Sequence, residues 1–188
     1  MKLYIFDFDG TISNKDSFIL FTLNTLSPLK FSKYYVSILF LWFFKPKSKL
    51  KESFYHLFKD YESKKFNQIC EDFEKKNLIK IIKSSFMKYI STIEEDSIKV
   101  VVSASISNYL KPWCDEMGFD LISTELEVKN GKLTGRFLTP NCNGKEKVKR
   151  IKEKYRLSEY NEVHVFGNSK GDLPMLELGT HKYYKFFK

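Results

Sequence analysis

Two short runs constrain this chain more than anything else in it. Residues 2–8 (KLYIFDF) and 98–103 (IKVVVS) are mostly apolar, without the polar alternation of a strand that has one wet face. Side chains of a strand point alternately to its two faces, so a strand apolar on both must lie between two covering layers. That demand predicts a parallel sheet with helices on both sides. Further strand candidates at 162–166 (EVHVF) and 182–187 (KYYKFF) fit the same sheet. Helical patterns at Ser107–Met117 and Gly144–Tyr155 separate these runs, giving the strand–helix alternation of a doubly wound α/β fold. Residues 125–138 (ELEVKNGKLTGRFL) form two half-alternating runs around Asn130-Gly131, a hairpin that projects from the sheet or extends an edge.

Residues 14 to about 95 break the rhythm, with four or five helical segments and no convincing strand. The predicted organisation is a core of residues 1–13 and 96–188, with an all-helical cap, 14–95, inserted after the first strand. A chain of 188 residues, 43% hydrophobic, is long enough for one such domain with its insert. Within the insert, 34–44 (YYVSILFLWFF) is apolar at every position but Ser37 and flanked by lysines. As a helix it would be about 16 Å long, too short for a hydrocarbon core of roughly 30 Å. Two readings stand: a buried core helix, or a helix lying in one leaflet with its lysines reaching the headgroups.

The net charge of +9 favours anionic partners such as phosphorylated metabolites or acidic lipid. Only three of the 32 basic residues are arginines (Arg136, Arg150 and Arg156), and no zinc-finger, RRM or KH pattern occurs, so no nucleic acid is expected. Three widely spaced cysteines, Cys70, Cys114 and Cys142, predict reduced thiols and a cytoplasmic setting, and Asp7 and Asp9 interrupt any secretory signal. The apolar run at 34–44 adds peripheral contact with the cytoplasmic face of the membrane as one option.

Those two aspartates carry the chemistry. They stand at the carboxyl end of the first strand, where open α/β sheets bind ligands, and Gly10 lets the backbone turn close to one. Two carboxylates so near each other repel, and a divalent cation with oxygen ligands, Mg²⁺, would offset that. An ionised aspartate can attack phosphorus, while a second carboxyl protonates the leaving oxygen. Ser103, ending the second strand, offers a hydroxyl for phosphoryl oxygens. Lysines in NCNGKEKVKRI stand near a helix start, and GNSKGD at 167–172 offers the oxygens of Asn168 and Asp172.

In series, DFDGT at 7–11, Ser103, the lysines and GNSKGD at 167–172 resemble the motifs of haloacid dehalogenase (HAD) superfamily phosphohydrolases. The subgroup resembled is the phosphoserine-phosphatase-like one. SASISNYLKPWCDEMGFD, NCNGKEKV and GNSKGDLPML are most similar to the phosphatidylglycerophosphatase C type. The resemblance implies a Mg²⁺-dependent phosphomonoesterase working through an aspartyl-phosphate. It implies Asp7 as nucleophile and metal ligand, and Asp9 as acid/base whose backbone carbonyl also binds metal. Ser103 and Lys147 would act on the phosphate, with Lys145 as the other lysine in reach. Asn168 and Asp172 would complete the metal site, and Gly10, Thr11, Asp16, Ser103, Ala104 and Lys145 would meet the substrate. Asn168 departs from the Asp usual there. The insert has no arginine for an amino acid's carboxylate, which points to an amphiphilic phosphate ester at a membrane surface such as phosphatidylglycerophosphate. Two other readings stay open: a soluble phosphatase for phosphoserine or another small metabolite, and a catalytically silent phosphate-binding scaffold.

Overall fold

The computed structural model describes residues 1–26 and 47–188. The apolar run at 34–44 lies outside the described residues. Five strands form one parallel sheet: β1 (Lys2–Phe6), β2 (Ile98–Ile106), β3 (Asp120–Thr124), β6 (Glu162–Gly167) and β7 (His181–Tyr184), in the order β3-β2-β1-β6-β7. The chain winds outward from β1 through β2 to β3, then crosses to the other flank of β1 for β6 and β7. The winding therefore reverses between β1 and β6, and the crevice at their carboxyl ends is where such folds take ligands.

The sheet is covered on both faces, as its apolar strands require. Leu3, Ile5, Val100, Val102, Val163 and Val165 point to one side. Ile151 of α6 (Lys145–Lys154) and Met175 of α7 (Leu173–Leu176) close over them. Tyr4, Phe6, Val101 and Phe166 point to the other side, toward Tyr109, Leu110 and Trp113 of α5 (Ser107–Glu116). Burying each such side chain contributes about 1.5–3 kcal/mol before chain entropy is charged against it.

Between β1 and β2 the described residues form α1 (Ser17–Thr25), α2 (Lys47–Tyr55), α3 (Ser63–Phe73) and α4 (Ser84–Ile90), joined by short 3-10 and π turns. Their buried aromatics merge with the core under α5: Phe21 and Phe73 both pack against Tyr109, with ring centroids 5.1 and 5.3 Å away. Among the described residues no helix is long and apolar enough to cross a membrane.

The hairpin of β4 (Leu126–Lys129) and β5 (Lys132–Phe137) turns at Asn130 and Gly131, both at positive φ as a two-residue hairpin loop demands. It neither extends an edge of the main sheet nor stands free. Its backbone pairs with the helical segment: Leu133 donates to Tyr61 O and accepts from Asp60 N, both at 2.9 Å, and Gly131 O accepts from Ser63 N at 2.8 Å. Strand limits also differ from expectation. β1 ends at Phe6, β2 runs on to Ile106 and β7 covers 181–184. β3 was absent from the sequence reading altogether. It is an edge strand with an exposed first residue, so its DLIST lacks the unbroken apolar run by which β2 is recognised.

Candidate active site

The site is built where β1 and β6 end side by side. The Asp7 N–H donates to Phe166 O of β6 at 3.0 Å, continuing the ladder one step past β1. The backbone then turns through Gly10 at φ +82°, and a Cβ there would sit 1.9 Å from Asn168 Nδ2. Only glycine lets the loop after β1 lie so close to the loop after β6.

Asp7, Lys147 and Asp172 are buried together, with 6, 1 and 1% of their surfaces exposed. Lys147 Nζ lies 2.5 Å from Asp7 Oδ1 and 2.8 Å from Asp172 Oδ1. Asp7 Oδ2 accepts the Thr11 hydroxyl at 2.9 Å. Asp172 Oδ2 accepts the Ser169 hydroxyl at 2.7 Å, Ser169 N–H at 3.0 Å and Asn168 N–H at 3.2 Å. Burial pushes the Asp7 carboxyl up to about 6, against the pull of the Lys147 ammonium. Burial also works against the Lys147 charge, but Asp7 and Asp172 together outweigh it and hold that ammonium above its usual range. Asp172 is likewise pushed up by burial, yet Lys147 and the Ser169 bonds bring it below the usual carboxylate range.

Asp9 lines the same cavity but is held by a different set of groups. Its Oδ1 accepts Ser17 N–H and its Oδ2 accepts the Ser105 hydroxyl, each at 2.7 Å. The Ser17 hydroxyl lies 3.0 Å from Ser105 Oγ and 3.3 Å from the Tyr109 phenol oxygen. Sequence reasoning missed Ser17, Ser105 and Tyr109. The only signal for Ser105 was its two-residue spacing from Ser103, and for the other two there was none.

The other predicted residues fall as follows. Asp7, Asp9, Asp16, Ala104, Lys147 and Asp172 line one cavity of about 910 Å³. Asp16 caps α1 through Ile19 N–H at 3.0 Å, and burial followed by repulsion from Asp9 raises its carboxyl. Thr11 turns inward to Asp7 instead of facing the cavity. Ser103 is buried beneath Ala104, its hydroxyl accepting Ser105 N–H at 3.1 Å. Lys147, not Lys145, is the lysine that enters; Lys145 is exposed on the first turn of α6. The far walls come from α2, through Lys49, Lys51 and Glu52, and from the end of the hairpin, through Phe137 and Leu138.

This donor set suits a hard divalent cation. Two buried carboxylates share one ammonium, leaving net negative charge that burial makes costly without a further cation. The Asn168 side-chain oxygen is buried with no hydrogen-bond partner. An orphaned oxygen beside two carboxylate-bearing loops fits the all-oxygen donor set that a hard divalent cation prefers. The same place sets a buried carboxylate against a fixed ammonium, a pairing that phosphoryl transfer can use.

Comparison with known proteins bears on the fold and the family. The fold resembles that of a protein of unknown function from Bordetella pertussis Tohama I (TM-score 0.82, 20% identity, 95% of this chain and 87% of that one). It also resembles a phosphoserine phosphatase solved as a phospho-aspartyl intermediate analogue (TM-score 0.66, 18% identity, 95% and 83%). In sequence the chain is 32% identical over 91 residues to Protein CicA of Caulobacter vibrioides, a match covering 47% of this chain and 40% of that protein. A sequence model of the haloacid dehalogenase-like hydrolases matches residues 4–177, nearly the whole span from β1 to the end of α7, and the chain belongs to that family.

Proposed function

We propose that this chain is a Mg²⁺-dependent phosphomonoesterase that works through an aspartyl-phosphate on Asp7. The observation that carries the reading is the buried Asp7–Lys147–Asp172 cluster, opening into one cavity with Asp9 and set beside the unpartnered Asn168 oxygen. In this reading residues 1–13 and 96–188 are the catalytic body and 14–95 its cap.

A carboxylate oxygen of Asp7 attacks phosphorus, and the bond from phosphorus to the ester oxygen breaks. Asp9 gives its proton to that leaving oxygen. It then takes a proton from the water that attacks the Asp7 phosphate, releasing inorganic phosphate and restoring both carboxyls. Lys147 neutralises charge on the transferring oxygens, and Asp172 holds Lys147 for that task. Ser17 and Ser105 orient Asp9, and Thr11 orients Asp7. Asp7, the Asp9 backbone carbonyl and Asn168 would hold Mg²⁺, which when bound supplies positive charge opposite the phosphate. Asp172, expected to join them, already accepts from Lys147, from the Ser169 hydroxyl and N–H and from the Asn168 N–H, which fills its lone pairs, whereas Asp7 accepts only from Lys147 and Thr11, so in this reading Asp172 serves Lys147 instead.

The substrate proposed is an amphiphilic phosphate ester, of the phosphatidylglycerophosphate kind. Support comes from the cavity's size, from Phe137 and Leu138 at its wall, and from lysines rather than an arginine on α2. The test is a substrate panel in Mg²⁺ with p-nitrophenyl phosphate, phosphoserine and phosphatidylglycerophosphate in micelles. Faster turnover of the lipid supports the full reading. Faster turnover of phosphoserine keeps the chemistry and discards the lipid, and no turnover of any ester discards both.

A further inference from the structure

The sheet carries a second cluster of ligand-type side chains at its opposite end. Glu162 opens β6, His181 opens β7, and His164 lies in register with His181 on the same face. Their ligating atoms all lie within 4.8 Å of one another. The catalytic groups sit at the carboxyl ends of the strands, whereas this cluster lies toward the amino ends and has no part in the phosphatase chemistry. From it we infer a second metal site, one for a borderline transition cation such as Zn²⁺.

The hydrogen bonds around the two imidazoles carry the inference. A histidine that binds metal through one ring nitrogen usually commits the other to a fixed partner. His164 Nδ1 lies 3.3 Å from the Tyr183 phenol oxygen, and His181 Nδ1 lies 3.0 Å from Thr180 Oγ1. Thr180 Oγ1 accepts Val163 N–H at 2.9 Å and reaches Val163 O at 3.2 Å, so its own hydrogen has a backbone partner and Oγ1 can accept from His181. Both rings are thus held from the Nδ1 side, with His181 Nε2 left for the cation and His164 Nε2 facing the Glu162 carboxylate. His164 Nε2 meets Glu162 Oε2 at 2.7 Å, the bond that the metal would replace. The proton there moves to Nδ1, where the Tyr183 oxygen accepts it, and the phenol hydrogen turns to solvent.

The two imidazoles are stacked nearly parallel, so their in-plane lone pairs converge on one cation only once His181 turns out of the stack. His164 stacks between Tyr4 and His181, with centroids 4.5 and 4.4 Å away. Around a tetrahedral Zn²⁺ with bonds of about 2.0–2.1 Å, ligand atoms stand roughly 3.3 Å apart. Reaching that spacing needs rotation of only the exposed His181 and the part-exposed Glu162, while the buried His164 stays in place. Lys2, whose charge acts on Glu162, is paired with Glu94 at 2.9 Å. Two nitrogens and one carboxylate oxygen suit Zn²⁺ better than Mg²⁺, and leave one coordination position open to water. The bound ion would pin edge strand β7 to β6.

The experiment is a Zn²⁺ titration of the full chain in saturating Mg²⁺, read by calorimetry and by melting temperature, with Co²⁺ as the spectroscopic probe. Wild type takes up one equivalent of Zn²⁺, gains about 5–10 °C at a hundredfold excess over Kd, and shows the visible bands of tetrahedral Co²⁺. His181→Gln and Glu162→Gln each weaken binding at least tenfold, while His56→Gln, which alters the chain's remaining histidine, does not. Melting in EDTA checks that each variant folds, and Glu162→Gln, which keeps the contact with His164, decides the matter should His181→Gln melt early. Absence of Zn²⁺ uptake by wild type, or undiminished uptake by a folded variant, overturns the site.

Discussion

The floor and the walls of the cavity that holds Asp7 and Lys147 are made in different ways. On the floor, Asp7, Lys147 and Asp172 are almost wholly buried, and each is held by two or more partners drawn from the loop after β1, α6 and the loop after β6. On the walls, Lys49 meets Glu52 at only 3.7 Å with 65% of its side chain exposed, and Leu138 is 60% exposed. An exposed ion pair of that kind contributes about 0–1 kcal/mol, whereas one missing partner in the buried cluster costs several times more. On the proposed function, the chemistry is therefore fixed by groups that the fold cannot move cheaply, and the choice of substrate is left to groups that can change at little cost to stability.

The strongest way to break this contrast is at the floor. Asp7→Asn should lower p-nitrophenyl phosphate turnover in Mg²⁺ by about a thousandfold or more, because an amide cannot form the phosphoryl-enzyme. Near-normal turnover would end the assignment of the nucleophile. Lys147→Met tests whether the floor also holds the fold together. It leaves two buried carboxylates facing each other and should cost about 3–5 kcal/mol, a fall in melting temperature of roughly 10 °C. The sign of its pH dependence follows from Asp7, whose carboxyl is raised by burial to about 6 even with Lys147 present. Removing the ammonium raises it further above its unfolded value near 3.9. Folded chains then hold the extra proton at low pH, so in EDTA the deficit should be smaller at pH 5 than at pH 8. An equal deficit at both would show that charge is not the cause.

The same division governs what could be read from the sequence. DFDGT and GNSKGD were legible because each compresses a strand end, a tight turn and its carboxylates into a few adjacent residues. Lys147 came from the family resemblance, with Lys145 as the other lysine in reach; the structure buries Lys147 and sends Lys145 outward. The Asn130-Gly131 hairpin was legible too, but its pairing with residues 60–63 was not, since nothing local encodes a partner seventy positions away (a separation counted roughly from the numbering). Ser17, Ser105 and Tyr109 converge on Asp9 only through the packing of α1 and α5 over the sheet. Hydroxyls common on any surface announce no such role in advance.

Between floor and wall stands the loop contact of Gly10 with Asn168. Gly10→Ala brings a Cβ to 1.9 Å from Asn168 Nδ2 at a positive φ, so Asn168 must move. The expected cost is about 1–3 kcal/mol of stability, together with a higher Mg²⁺ requirement for turnover. A change in stability with an unaltered Mg²⁺ requirement would remove Asn168 from the metal site. Asn168→Asp runs the opposite way. An added negative charge at that oxygen should lower the Mg²⁺ concentration for half-maximal activity by about tenfold, or about 1.4 kcal/mol, with little change in kcat.

The smallest effect is expected at the wall, and it is what separates the two regions. Lys51 lies over the Phe18 ring at 5.1 Å and lines the cavity without touching the buried cluster. Its charge acts through solvent, so it attracts an anionic substrate to the same degree before and during reaction. Uniform attraction of this sort changes KM and leaves kcat alone. Lys51→Gln should raise KM about two- to fivefold for an anionic ester, less at high salt, with kcat and melting temperature unchanged. A fall in kcat matching that of a floor variant would mean that α2 reaches the reacting phosphate, and the line between a fixed floor and an adjustable wall would have to be redrawn through the helix.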